Sequence, residues 1–402
     1  MPHAIVRRTA GVLARSATRH ASLAAAAPPR LVLAIETSCD DTAAAVVGSD
    51  GAVLSSVVRA QHSLHEGYGG IVPRIASRNH SAQLPGVIAE ALSRAGVGVA
   101  DVHAVAATRG PGLAGSLSVG LNAGKAIAAA AGKPFVGVHH MEAHLLTARL
   151  TEGAEAVRFP YLCLLVSGGH SMLVLARGLC DYCRLGETLD DSVGEAFDKV
   201  ARDLGLGWSV DGRPAQPGAA LEACARAGDA ARFRLPLPLR RKDGLEGPSC
   251  NFSFSGLKTA VRNALLAELK GGAELGAVHA ADAQLASDMA AAFQTAAIRH
   301  LEERTRRALQ WCRDAQWGAA PSCLVVSGGV AGNSALRARL AALAAEDGLQ
   351  LYAPPPSLCG DQAVMIAHAA LERLEGGRLR DEQDSLELTI RPKWPLGVAV
   401  TH

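Results

Sequence analysis

The tetrapeptide Val-Ser-Gly-Gly occurs twice, at Val166 to Gly169 and at Val326 to Gly329, each time closing an apolar run that reads as a buried strand. A strand that ends in a glycine pair makes a tight turn whose backbone N–H groups are unobstructed and can face phosphate or carboxylate oxygens. The two copies stand much further apart than the repeats of any solenoid. They point instead to related nucleotide-cradling loops, in a chain of two related α/β units whose second begins after Ala156 with the same device of strand, tight turn and strand. A chain of 402 residues has room for two or three domains, so both units can bury a core of their own.

The rest of the pattern fits that division. From Leu31 the sequence reads as three strands in a meander. After His62 come a helical run that ends in EALSRAG and a strand–helix–strand alternation through VHAVAATRG, LSVGLNAGKAIAAAAG and PFVGV. That order implies a partly parallel sheet. The first lobe is expected over 31–156, and the second over 157–360 with a helical insertion. Helices are expected at Thr188 to Leu204, Leu257 to Leu269, Asp282 to Leu309 and Ala363 to Leu374. The last helix, within 361–375, is expected to complete the first lobe, leaving 376–402 as a tail.

Composition narrows the class. Only fifteen residues are aromatic, so the core must be mainly aliphatic, and the longest apolar stretches are broken at Lys125 and Lys133 or at Gly168-Gly169-His170, which excludes a membrane-spanning helix. Nine scattered cysteines with one Cys-x-x-Cys, at Cys180 and Cys183, read as reduced thiols rather than a disulfide framework or zinc ribbon. Residues 1–30 carry five arginines and no acid, the composition of a mitochondrial or plastid transit peptide, with a disordered basic arm as the plainer reading. Without them, thirty-five basic residues face thirty-eight acidic ones, a net charge of −3. A nucleic-acid partner would then have to be held by a local patch.

Three motifs carry chemistry. His140 and His144 are four apart on a probable helix, so both imidazoles can reach one cation, whereas Glu142 sits about 200° round from His140, which disfavours a zinc-protease mechanism. Asp361, in a Gly-Asp turn before an apolar helix, is the candidate third ligand. Capping or core histidines and a helix N-cap are the plainer reading of the same residues. The glycine turns, joined by the glycine-rich run from Gly110 to Gly120, suggest a nucleotide cradle, with Asn333 as a helix cap or a ribose contact. A Walker A loop is absent, because Gly120 to Lys125 is one residue short and Ala126 follows. Asp190, Asp191, Glu195 and Asp198 form an acidic helix start, with Asp198 between apolar neighbours and turned toward a cleft.

IETSCDDTA, GPGLAGSLSVGL, HHMEAHLL, LLVSGGHSMLV, GETLDDSVGEAFDKVARDLGL, FSFSGLKTAV, VSGGVAGNSALR and CGDQAVMIA together resemble, in order and spacing, the tRNA N6-adenosine threonylcarbamoyltransferase family, from about Leu31 to His368. With the leader, the chain resembles its mitochondrial branch. The resemblance implies the two-lobed α/β fold of actin, sugar kinases and Hsp70 ATPases, with duplicated α/β domains. It implies transfer of threonylcarbamoyl from threonylcarbamoyl-AMP to N6 of adenosine 37 in tRNAs that read codons beginning with A. It also implies one divalent cation per subunit, iron or zinc, on His140, His144 and Asp361, and substrate contacts from Leu165, Val166, Ser167, Gly168, Gly169, Asp198, Gly218, Glu222 and Asn333. No residue is assigned as acid or base, and a homodimer is expected. Arg232, Arg234, Arg240, Arg241 and Lys242, in a Pro-rich loop, are the expected contact for the anticodon arm. The sequence departs from the family pattern in Gln216-Pro217-Gly218 where Pro-Gly-Gly is usual, in Asn251 for Asp, and in Gln362 for Asn. Two other functions remain open on the residues alone: an ATPase or sugar kinase using Glu36, Asp40 and the glycine turns for MgATP, and a tRNA-binding protein without catalysis.

Overall fold

The computed structural model describes residues 28–240, 249–269, 274–314, 320–378 and 385–400. The proposed leader, apart from 28–30, and Arg241 and Lys242 lie outside them. The first sheet holds β1 (Leu31–Glu36), β2 (Thr42–Gly48), β3 (Val53–Arg59), β4 (Ala104–Gly110) and β5 (Phe135–His139) in the order β3-β2-β1-β4-β5. β1 to β3 pair antiparallel, and β4 and β5 add in parallel. The helices of this half are the short α1 (His62–His65), then α2 (Pro73–Ala95), α3 (Ala114–Ala131) and α4 (His140–Glu152).

The second sheet repeats that order. It holds β6 (Tyr161–Val166), β7 (Ser171–Gly178) and β8 (Asp181–Glu187), then, beyond the small hairpin of β9 (Ser209–Val210) and β10 (Arg213–Pro214), β11 (Leu324–Ser327) and β12 (Leu351–Tyr352). Its order, β12-β11-β6-β7-β8, is the first sheet's read from the other edge, with β13 (Val398–Ala399) added at the end. Two copies of one topology bear out the duplicated α/β plan, but both glycine turns belong to the second sheet, at the ends of the adjacent strands β6 and β11. Around the second sheet lie α5 (Val193–Asp203), α6 (Pro217–Ala225), α7 (Ser255–Leu269), the short α8 (Val278–Ala281), α9 (Ala283–Arg313) and α10 (Ser334–Glu346); α11 (Ala363–Glu375) returns to the first sheet, packing with α4 and against β1 and β2.

α4 is the element both lobes share. Its Ala143 and Leu146 join the core under the first sheet, while Met141, Leu145 and Ala148 pack with Tyr161, Cys163 and Leu165 of the second. Met141, Leu145 and Leu146 are fully buried, at about 1.5–3 kcal/mol of transfer free energy each. A helix buried on two faces cannot slide, so side chains on its remaining stripe are held where the lobes meet.

The segment after 376 is more than a tail. Leu388 packs in the first lobe, Leu396 in the second, and Val398–Ala399 pairs with β8. Between them, Arg391 N–H donates to the Arg109 carbonyl (2.8 Å) and the Trp394 ring lies against Arg109 and Arg391. The chain thus straps the lobes together on the side of β4 and β5.

Local signals set most helix ends, with one correction. The expected helix over Thr188 to Leu204 begins only at Val193, because Ser192 caps it by accepting from Glu195 N–H (3.1 Å). Asp190 is spent elsewhere, its carboxylate accepting from Ser253 Oγ and the N–H groups of Phe254 and Ser255 at the start of α7. The glycines from Gly110 to Gly120 also differ from the cradle expected of them. Gly112 N–H is taken by the Pro392 carbonyl, and a Cβ on Gly120 would stand 2.3 Å from Thr37 Oγ1. They let α3 and the strap approach β1 and β4 closely. All nine cysteines are free thiols, and no described helix is long and apolar enough to cross a membrane.

Candidate active site

β5 runs into α4 at His139, whose Nδ1 caps the helix by accepting from Met141 N–H (3.1 Å) while Nε2 donates to the Trp394 carbonyl (3.1 Å). The next residue, His140, and His144 one turn on therefore leave the helix on one face, with their rings edge-on and 4.8 Å apart. Asp361 Oδ1 stands 3.4 Å from His140 Nε2 and 3.1 Å from His144 Nε2. These three donor atoms lie close enough to one another to hold a metal ion. The N-cap reading of Asp361 fails: Gln362 caps α11 by accepting from Met365 N–H (3.2 Å), which frees Asp361 for the imidazoles. Glu142 turns away, as its azimuth requires, and accepts from Tyr182 Oη (2.8 Å).

The surroundings suit a cation. Glu36, at the end of β1 and fully buried, accepts from Ser38 N–H, Thr108 Oγ1 and, at 3.1 Å, His140 Nδ1. That hydrogen bond leaves Nε2 as the ring nitrogen aimed at Asp361 and His144. Burial would discharge His140, yet the carboxylates of Asp361 and Glu36 on either side raise it to about 10. Burial likewise opposes the charge on Asp361, and the two imidazoles hold it well below the usual carboxylate range. Two carboxylates flanking one imidazole demand positive charge at this point. Imidazole nitrogens with a carboxylate oxygen match the donor preferences of iron and zinc.

The other residues singled out from the sequence line the second lobe's side of the cleft. Leu165 and Val166 are buried in β6, and Ser167-Gly168-Gly169 form an open turn in which Ser167 Oγ accepts from His170 N–H (3.1 Å). His170 closes the turn toward the trio. Burial and the nearby charges of His140 and His144 push it down to about 4. Asp198 on α5 accepts from Gly218 N–H (2.9 Å) at the start of α6, and its burial raises it to about 6. One turn along α6, Glu222 accepts from Ser334 N–H (2.9 Å) and Oγ (2.6 Å). Asn333, beside it, caps α10 and donates from Nδ2 to Gln294 Oε1 (2.9 Å), so its side chain is committed to the fold. Of the four acids at the helix start, Asp198 alone faces the cleft; Asp191 and Glu195 pair with Lys199, and Asp191 also with Lys258.

A second group, Asp40, Asp41 and His62, faces Asp198 across the cleft and was not foreseen as a unit. His62 Nδ1 lies 3.7 Å from Asp40 Oδ2, and its ring accepts from Gln216 Nε2 (3.1 Å) of the opposite lobe. Burial and the charge of Asp40 raise Asp41 to about 8, which puts a proton exchangeable near neutral pH at the cleft. The run Cys39-Asp40-Asp41 was the available signal, but nothing local ties it to His62. The expected anticodon contact is also altered. Arg232 is paired with Asp288 (2.9 Å) and Glu268 (3.2 Å), and Arg240 with Glu303, so these two of its five cations are neutralised within the fold; Arg241 and Lys242 lie outside the described residues.

HypF from T. kodakarensis has the same fold at 14% identity and a TM-score of 0.51, over 87% of this chain; the match spans about half (48%) of that longer protein. This agrees with the two-lobed architecture shared by actin, sugar kinases and Hsp70 ATPases. The tRNA N6-adenosine threonylcarbamoyltransferase of Paramagnetospirillum magneticum is 49% identical over 366 residues, 91% of this chain and 97% of that one. The corresponding protein of Rhizobium etli is 50% identical over 370 residues, 91% and 94% of the two chains. The family profile for tRNA N6-adenosine threonylcarbamoyltransferase matches residues 52–368. The chain therefore belongs to the tRNA N6-adenosine threonylcarbamoyltransferase family and is an acyltransferase that modifies tRNA.

Proposed function

We propose that the enzyme takes threonylcarbamoyl from threonylcarbamoyl-AMP and places it on N6 of adenosine 37 in mitochondrial tRNAs that read codons beginning with A. The observation that carries this reading is the meeting of His140, His144 and Asp361 beside an open glycine turn, at the seam of the two lobes. These three residues would hold one iron or zinc ion, which when bound supplies a Lewis acid for the carbonyl or phosphate oxygens of the donor. Glu36 keeps the His140 ring oriented by accepting its Nδ1 proton. Leu165 and Val166 form the floor of the turn, and Gly168 would bring backbone N–H to the adenylate and to developing oxyanion charge, the Ser167 N–H being taken by the His170 carbonyl (2.8 Å) and the Gly169 N–H by Ser167 Oγ (3.4 Å). Asp198, Gly218, Glu222 and Asn333 would shape the far side of the nucleotide site. AMP leaves as N6 attacks.

The test is incubation of the purified protein with threonylcarbamoyl-AMP and an unmodified tRNA of that class, followed by nucleoside mass spectrometry. Threonylcarbamoyladenosine at position 37 is the expected product, and its absence rejects the reading. His140→Ala, His144→Ala and Asp361→Ala should each lower bound metal, read by elemental analysis, and activity, with the circular dichroism spectrum unchanged. Full metal content in all three would reject the ligand set. The basic, acid-free composition of residues 1–30 supports import into the mitochondrial matrix; fused to a fluorescent reporter they should carry it there, and a cytosolic reporter would count against that address. The homodimer is tested by the mass in solution.

A further inference from the structure

The substrate side of the cleft continues outward along α5. Asp198 faces Gly218, and Arg202, four residues on, lies one turn further along the same stripe of the helix. Its charge is felt at Asp198. There α5 meets the segment from Glu66 to Tyr68 that follows α1: a Cβ on Gly69 would stand 3.9 Å from Arg202 Nε. On its other side Arg202 shares a cavity of about 270 Å³ with Lys199, Asp203, Lys258, Thr259 and Arg262. The cations differ in what they are doing. Lys199 and Lys258 are tied to Asp191 and Glu195, whereas Arg202 and Arg262 form no salt bridge among the described residues.

The segment that meets Arg202 is unusual for this chain. With only fifteen aromatic residues, it leaves the Tyr68 ring 67% exposed, beside exposed Leu64 and Ile71. Exposed apolar residues clustered at the mouth of a cleft mark a contact surface. The acceptor's chemistry says which kind. The reacting adenosine is one nucleotide of a loop, so its neighbours leave the cleft across the rim. Unpaired bases are held by stacking on aromatic rings, and their phosphates by guanidinium groups. A chain with a mature charge of −3 needs such groups to be local and uncommitted.

We infer that the rim formed by Tyr68, Arg202 and Arg262 is the docking surface for the tRNA anticodon loop, Tyr68 stacking on an unpaired base near the reacting adenosine and the two arginines holding its phosphates. This rests on the tRNA reaction proposed above. The Pro-rich loop around Arg240 is the lesser contact, because Arg232 and Arg240 are already paired with acids.

The experiment uses the full-length protein, a labelled anticodon stem-loop RNA for binding, and whole tRNA for turnover. The double variant Arg202→Glu/Arg262→Glu should weaken RNA binding roughly thirtyfold, and should flatten the plot of log affinity against log salt by about 1.4–1.8, as loss of two phosphate contacts requires. The Michaelis constant for tRNA should rise by a similar factor. Tyr68→Ala should weaken binding roughly tenfold without moving the salt slope, and Tyr68→Phe should bind like the parent. Wild-type affinity and slope in the double variant overturn the surface, and a Tyr68→Phe as weak as Tyr68→Ala overturns the stacking role. A parent protein that binds RNA through this rim yet forms no modified nucleoside would sink the proposed reaction while leaving the surface standing. A parent that modifies tRNA while its variants bind RNA unchanged would do the reverse.

Discussion

The two Val-Ser-Gly-Gly turns share a sequence and a place at the ends of adjacent parallel strands of the second sheet, β6 and β11, and they do different things. At the first, a Cβ on Gly168 or Gly169 would meet open space, and the turn faces the cleft. At the second, Gly328 takes a φ of 93°, and a Cβ there would stand 2.3 Å from the Val166 carbonyl oxygen, inside the first turn's own strand. Ser327, just before it, is fully buried and donates to the His144 carbonyl (2.7 Å). The second turn is thus the footing for the first turn and for the metal-ligand helix. One short sequence thus occurs at two neighbouring strand ends, and packing between β6 and β11 closes Gly328 while Gly168, Gly169 and Gly329 stay open.

The sharpest way to break this contrast is to put a methyl group on each turn. Gly328→Ala combines a left-handed backbone with a clash against backbone, and is expected to cost about 3 kcal/mol or more in urea unfolding. A loss below 1 kcal/mol would mean the two turns are equivalent after all.

The next largest effect belongs to the open side and depends on pH. Burial holds Asp198 at about 6, above the ordinary aspartate value of 3.8 expected in the unfolded chain. Between these values the folded protein binds more protons than the unfolded one, so this residue's contribution to stability falls as pH rises from about 4 to about 6, then levels. Asp198→Asn keeps an oxygen for Gly218 N–H and has no charge to bury. Relative to the parent it should gain on the order of 2–3 kcal/mol between pH 4 and pH 7.5. An equal gap at both pH values would show that Asp198 is solvated.

Ser327→Ala removes a buried hydrogen bond to α4 and should cost about 1 kcal/mol, with a measurable loss of bound metal. Ser167→Ala, on the exposed turn, should leave metal content unchanged. The smallest stability change is expected for Gly169→Ala, within about 0.5 kcal/mol, its effect being seen in the Michaelis constant for the proposed donor, threonylcarbamoyl-AMP. Unfolding of Gly169→Ala would place the structural load on the wrong turn.

Much of the site was legible because its signals are local. The spacing of His140 and His144 fixes their common face through helix geometry alone, and the apolar runs ending in glycine fixed the strands and turns. What could not be read was which side chain each group meets. Asp361 and Gln362 are adjacent polar residues before one helix, and either is competent to cap it; only the fold shows that Gln362 caps while Asp361 reaches the imidazoles. Likewise the arginines of the Pro-rich loop look free until α9 brings Glu303 and Asp288 to them.

The sequence by itself determined the two-lobed plan, the family, and a ligand pair on one helix, since strand and helix periodicity and the spacing of motifs depend on neighbours a few residues away. Tertiary structure alone decided that Glu36 orients His140, that His62 faces Asp40 and Asp41, that the segment around Leu388 to Val398 straps the lobes, and that the first glycine of one turn is open while that of the other, Gly328, is closed against β6. Each of these pairs residues far apart in the chain. Such contacts are selected by burial and by the need to satisfy every enclosed polar group once the chain has closed, and no local propensity encodes them.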